Sequence, residues 1–154
     1  MTKVVGTTSA VMILVDEGVL DLDDRVVDHL PWWSRGDPRK DRVTVRQLLV
    51  HEAGLPAFRR WFLEIEGRRA YRDAIADEPL ELDPGTTALY SDIGIMTLEL
   101  LVEEAGGMPL DTFLRERVFR PLGMVDTGFN PDPSRLPSIA PTEVDTLWRG
   151  GLHV

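Results

Sequence analysis

Residues 2–17 limit what this chain can fold into more than any other stretch. Val4, Val5, Ala10, Val11, Met12, Ile13, Leu14 and Val15 fall on nearly every face of a helix drawn through it. A helix that is apolar all round belongs at the centre of a protein, covered by other elements. Gly18 is its natural stop. Met1-Thr2-Lys3 ahead of the apolar run has the form of a signal peptide, but the run ends in Asp16-Glu17-Gly18 with no small-x-small cleavage site. It is also too short to span a membrane. The reading is a buried central helix.

The remainder supplies mostly helical cover. Residues 21–24 make an acidic turn, with Asp23 or Asp24 placed to cap a short helix over 27–30 that Pro31 ends. The polar run 34–42 reads as a surface loop. Thr44 is placed as the N-cap of a helix through 47–50. Residues 59–65 and 68–77 read as surface helices, the second burying Tyr71, Ala74 and Ile75. Residues 93–105 are apolar apart from a narrow stripe of glutamates, which makes a core helix ended by Gly106-Gly107. Pro109 opens a helix whose Leu110, Phe113, Leu114 and Val118 fall at helical spacing, and Pro121 closes it. Pro131, Pro133, Pro137 and Pro141 make residues 130–141 irregular or extended. Trp32, Trp33, Trp61 and Trp148 read as packing residues rather than a substrate platform.

Composition removes several function classes. At 154 residues, 43% hydrophobic and 28% charged, the chain is the size and character of one globular domain. A net charge of −9 argues against a nucleic-acid binder, because nothing neutralises phosphates along a duplex. The densest basic group, Arg59-Arg60 with Arg68-Arg69, is broken by Glu64 and Glu66. The absence of cysteine excludes disulfides and thiolate metal sites and leaves the compartment open. His51-Glu52 begins like a zinc-protease helix, but Leu55 stands where the second histidine is needed, and Gly54 and Pro56 would break the helix. No metal and no cofactor is expected.

Read alone, residues 82–94 are an ordinary helix start. Pro84-Gly85 is a turn, 86–89 a short extended run, and Tyr90-Ser91-Asp92 leads into the apolar helix with Ser91 or Asp92 as cap. A phenol and a carboxylate are thereby held at a loop-to-helix junction, where side chains can project into a cleft.

Five stretches, taken in order, resemble the serine β-lactamase and penicillin-binding-protein superfamily in its class C and esterase-like branch. They are Thr2-Lys3 leading the apolar helix, residues 18–24 (GVLDLDD), residues 45–56 (VRQLLVHEAGLP), the Pro84-Gly85 to Asp92 segment, and Pro121-Leu122-Gly123-Met124 with Thr127. The resemblance implies three motifs. In Ser-x-x-Lys, serine is the acyl-accepting nucleophile and the lysine, one helical turn on, helps remove its proton. Lys3 matches that lysine, and the serine would fall one position before Met1. Tyr90-Ser91-Asp92 matches Tyr-x-Asn, whose tyrosine acts as general base when a nearby positive charge favours its ionised form. Asp92 departs from asparagine, and a carboxylate cannot donate a hydrogen bond to an amide carbonyl. The third motif, Lys-Thr-Gly or His-x-Gly on an oxyanion strand, finds no match after Tyr90; residues 150–154 (GGLHV) lack the glycine two residues after the histidine.

The resemblance therefore implies a mostly α chain: the central helix and helical lobe of the α/β β-lactamase/transpeptidase-like fold, with most of the antiparallel sheet missing. As one partial domain, it would comprise the central helix (2–17), the helical lobe (about 19–130) and a Pro-rich return segment (130–154), truncated at both ends. The implied catalytic residues are Lys3, Tyr90 and Asp92, and the partner is a small-molecule acyl substrate, an ester, amide or lactam, handled through an acyl-enzyme. Lacking nucleophile and oxyanion strand, the isolated chain is expected to be inactive; the alternative is a non-catalytic helical binding module or a decayed remnant. Ser9 and Ser91 have no lysine three residues on and read as helix and loop residues. A central helix left uncovered exposes an apolar patch, through which the isolated chain is expected to self-associate. If the family fold is kept, Lys3 and Tyr90 lie within hydrogen-bond reach or one rotamer change from it, with Asp92 as a second acceptor; the competing picture frays Lys3 into solvent.

Overall fold

The apolar run at the start of the chain forms one helix in two windings. In the computed structural model, which describes residues 2–140, 143–145 and 151–153, Thr2–Thr8 is a wide π-helical stretch that passes into α1, Ser9–Asp16. Gly18 adopts a φ of +69°, and the N–H groups of Gly18 and Val19 return to the carbonyls of Val15 and Leu14. That left-handed closure is the stop expected of glycine. Ala10, Val11 and Leu14 are buried, whereas Val4 is 71% and Met12 44% exposed. The helix is central, but it is not covered all round.

The other long helix, α5 (Asp92–Gly106), packs against α1, α2 (Val26–His29), α3 (Val45–Leu49) and α6 (Leu110–Leu114). Its Ile93, Leu98, Leu101 and Val102 are buried, each such side chain contributing about 1.5–3 kcal/mol by leaving water. Trp33 is fully buried against this helix; its Nε1 donates to Thr97 Oγ1 at 3.3 Å, and Thr97 donates in turn to the Ile93 carbonyl at 2.9 Å. Gly107 closes α5 at a φ of +67°. After α6 the chain winds as a π-helix over Arg115–Phe119. A short antiparallel pair, β1 (Glu143–Asp145) and β2 (Gly151–His153), ends the described chain, with Val144 opposite Leu152. Trp148 lies outside the described residues.

Several expected elements take another form. Neither Asp23 nor Asp24 caps α2: Arg25 is the N-cap and makes no side-chain cap bond. Both carboxylates are drawn elsewhere, Asp23 to Arg46 Nε at 2.9 Å and Asp24 to the Asp21 N–H at 2.8 Å and His29 Nε2 at 3.0 Å. Arg25 itself is extended because it bridges Thr44. Residues 59–65 make only a single 3₁₀ turn, Trp61–Leu63. Phe62 and Leu63 remain exposed there, so no buried apolar face offsets the cost of starting a helix. By contrast, α4 (Arg68–Asp77) forms as expected, burying Ile75 fully and Tyr71 and Ala74 in part. The tract after residue 130 is not wholly irregular: Pro133–Ser138 is a 3₁₀ helix, started by the Asp132 carboxylate accepting from Ser134 N–H at 2.8 Å. Proline in the first helical position loses nothing, since its missing N–H would be unpaired there.

The polar run 34–42 departs furthest from expectation. It contains the 3₁₀ helix Pro38–Arg42, and Lys40 within it is fully buried. The Lys40 ammonium donates to the carbonyls of Ile75 at 2.7 Å, Ala76 at 3.1 Å and Trp33 at 3.2 Å. Three donors meet three acceptors, which is how a buried cation is tolerated. Beside it, buried Asp37 accepts from Arg39 and from the Leu80 N–H. The Arg39 guanidinium holds the Asp37 carboxyl well below the usual carboxylate range.

Candidate active site

The site is built where the start of the central helix meets two loops. Thr44 opens α3 with a capping box: its hydroxyl accepts from the Gln47 N–H and the Gln47 side chain accepts from the Thr44 N–H. Leaving α3, the chain turns through His51, whose φ is +61°, into residues 52–57. Gly54 is required there, because a Cβ would stand 2.2 Å from the Leu82 carbonyl oxygen. That close approach lets the Gly54 carbonyl accept from Glu81 and Leu82, and the same loop receives Gly85 N–H on Glu52 O and Leu89 N–H on His51 O. Residues 81–90 are laid along this loop by main-chain bonds.

The junction into α5 is tied as tightly. Ser91 is the N-cap: its Oγ accepts from Gly94 N–H at 3.1 Å and donates to the Pro56 carbonyl at 2.6 Å. The capping role fixes Ser91 as buried structure. Asp92 N–H donates to Ala57 O at 2.8 Å, which leaves the Asp92 side chain free of capping duty and directed at Lys3. Ser9 donates to the Val4 carbonyl within its own helix.

The structure brings Lys3, Tyr90 and Asp92 together. Lys3 Nζ lies 2.7 Å from Asp92 Oδ1 and 5.1 Å from the centroid of the Tyr90 ring. Hydrogen bonding to Asp92 is the main reason that the Lys3 pKa is raised; partial burial opposes it and a hydrogen bond with Tyr90 adds to it. Lys3 is therefore an ammonium at neutral pH. Tyr90 is 60% exposed and within reach of a solute.

His51 belongs to the same cluster and was not singled out for it by sequence reasoning. Its ring sits 4.5 Å from the Tyr90 ring, tilted by 44°, and its Nδ1 accepts the Ser91 N–H at 3.2 Å. Accepting there requires an unprotonated Nδ1. Burial, followed by the nearby Lys3 charge, lowers the His51 pKa and keeps the ring neutral, against the pull of Asp92. The signal in the sequence is the place of His51 within the matched stretch 45–56. Among the described residues no group of three or more His, Cys, Asp or Glu is placed to hold a metal ion, and no helix is long and apolar enough to cross a membrane.

Comparison with known proteins identifies the family and the fold. The Beta-lactamase family profile matches residues 1–149. A protein of Escherichia coli (strain K12) provisionally named D-alanyl-D-alanine carboxypeptidase is 34% identical, over 98% of this chain and 38% of its own length. Among solved structures, a penicillin-binding protein homologue from Caulobacter crescentus superposes with a TM-score of 0.72 at 28% identity, over 93% of this chain and 39% of that one. EstCE1, a hydrolase with promiscuous acyltransferase activity, gives a TM-score of 0.75 at 27% identity, over 96% of this chain and 42% of that one. In each case this chain spans less than half of the other protein.

Proposed function

Because this chain belongs to the β-lactamase family, we propose that Lys3, Tyr90 and Asp92 form the proton-handling half of a serine acyl-transfer site. The observation that carries the reading is the convergence of Lys3, from the first turn of the central helix, with Tyr90 and Asp92 at the start of α5. Both the carboxypeptidase and the acyltransferase chemistry named for its relatives move an acyl group, which is the class proposed.

A serine three residues ahead of Lys3 shares its helical face. Its hydroxyl proton passes to Tyr90, acting as general base beside the Lys3 ammonium, while the oxygen attacks the acyl carbonyl. Collapse of the tetrahedral species returns that proton to the departing alcohol or amine, and water repeats the sequence to release the acid. Asp92, an acceptor only, gives no hydrogen bond to a substrate amide carbonyl. Esters fit this site better than amides or lactams.

The test uses two chains, the 154-residue protein and the same protein with one serine placed before Met1, each incubated with p-nitrophenyl acetate and read by intact mass. The serine-prefixed chain is expected to acquire one acetyl group slowly, and Lys3→Met and Tyr90→Phe to suppress it; the unprefixed chain turns over neither this ester nor a chromogenic cephalosporin. Acetylation indifferent to both substitutions would overturn the assignment. A second reading, a non-catalytic binding module, is favoured by the 2.7 Å pairing of Lys3 with Asp92, which already satisfies the ammonium. It predicts no acetylation of either chain.

A further inference from the structure

Beside Asp92 the surface opens into a cavity of about 350 Å³, walled by Phe58, Trp61, Phe62, Tyr71, Ile93 and Met96, with Arg59 and Asp92 also in its lining. Its lining is unusual for a solvent-facing hollow. Phe58 is 58% and Phe62 42% exposed, and clustered exposed apolar side chains mark binding surfaces. Trp61 and Tyr71 meet edge to face at 6.2 Å, and Trp61 is packed on the core, so one wall is fixed. The charges at the rim are neutralised from within the protein. Arg59 is held by Glu78 at 2.8 Å and Glu81 at 3.1 Å, and Asp92 by Lys3 at 2.7 Å.

We propose that this cavity seats a neutral aromatic side group of the substrate, with the acyl carbon attached to it facing Lys3 and Tyr90. An apolar cavity of about 150 Å³ holds a benzene ring, so the observed volume takes a ring together with its connecting atoms and falls within the usual range for ligand pockets. Aromatic walls recognise a ring through offset and edge-to-face contacts, and the Met96 thioether adapts to its edge. A carboxylate on the ring would give up its hydration among aromatic walls where Arg59 and Lys3 are already paired, and so binds less well. The position of the acyl carbon rests on the acyl-transfer reading; the seating of the ring does not.

Binding is measured on the 154-residue chain without turnover, by following Tyr71 and Trp61 ring resonances during titration with phenylacetamide, acetamide and 4-carboxyphenylacetamide. Saturable binding of phenylacetamide is expected, with acetamide and the carboxylate weaker by about tenfold or more. Phe62→Ala, which removes a wall, and Met96→Trp, which fills the cavity, should each weaken phenylacetamide by about fivefold. Failure of phenylacetamide to saturate, equal binding of acetamide, or binding unchanged in both variants with native circular dichroism would overturn the proposal. So would resonance changes that track protein concentration rather than the probe, which would give the cavity to a second copy of the chain. Ring binding that persists where the serine-prefixed chain fails to acetylate sinks the acyl-transfer reading alone, and acetylation without ring binding sinks this one alone.

Discussion

The Ser91 N–H donates to His51 Nδ1 at 3.2 Å, so a neutral imidazole holds the residue between Tyr90 and Asp92 in place. Protonation at Nδ1 would turn this acceptor into a donor and break the contact. The His51 pKa is lowered in the fold, so between that value and the unfolded value of about 6.5 the unfolded chain binds the extra proton. The stability contributed is complete above about pH 6.5 and is lost as the pH falls. Chemical denaturation at pH 7.5 and 5.0 should show this loss in the wild type and not in His51→Asn. Because the φ is +61°, His51→Ala should cost about 1–3 kcal/mol, and His51→Asn less, since asparagine tolerates that backbone.

Asp92→Asn removes the carboxylate 2.7 Å from Lys3. The main cause of the raised Lys3 pKa then disappears. The titration of Lys3, followed through its Nζ or Cε resonance, should move downward. In the serine-prefixed chain the ammonium is freed for Tyr90, and acetylation should accelerate by about tenfold or more, the factor that a hydrogen bond to a charged group is worth.

Lys40→Met should destabilise the protein by about 2–4 kcal/mol, because the carbonyls of Trp33, Ile75 and Ala76 lose their donor. Burial lowers the Lys40 pKa to about 8, against about 10.4 for an unfolded lysine. Between those values the unfolded chain carries the extra proton, so this group's contribution makes stability rise with pH there. Urea midpoints from pH 7.5 to 10 should show that rise, and Lys40→Met should lack it.

Val4 and Met12 leave apolar surface on the central helix open to solvent. The isolated chain is expected to self-associate through it. Sedimentation velocity should show concentration-dependent species that Val4→Lys with Met12→Lys reduces; a monomer at every concentration in the unsubstituted chain would count against this.

Legibility in the sequence followed the range of the interactions. Local chemistry was readable: the Thr44 cap, the Ser91 cap and the glycine stops at Gly18 and Gly107 each depend on residues a few positions apart. Residues 34–42 were misread because a lysine in a polar run looks solvated, and only the distant carbonyls of Ile75 and Ala76 make its burial possible. The mostly helical architecture came from periodicity, and the family from five matched stretches. The convergence of Lys3 with Tyr90 followed from the resemblance, since no spacing rule joins residues so far apart. His51 was missed because its value lies in a ring nitrogen accepting a backbone N–H forty residues away.

The loop 51–57 holds the Tyr90 segment almost wholly through carbonyl oxygens: those of His51, Glu52, Gly54, Pro56 and Ala57 receive Leu89, Gly85, Leu82, Ser91 and Asp92. A carbonyl is the same atom whatever side chain follows it. Residues at 57–62 can therefore drift, and with them the shape and polarity of what the cleft admits, while the phenol keeps its position. Mutational libraries confined to Phe58 and Phe62 should alter which small molecules bind beside Asp92 without altering the placement of Tyr90, a separation between scaffold and preference.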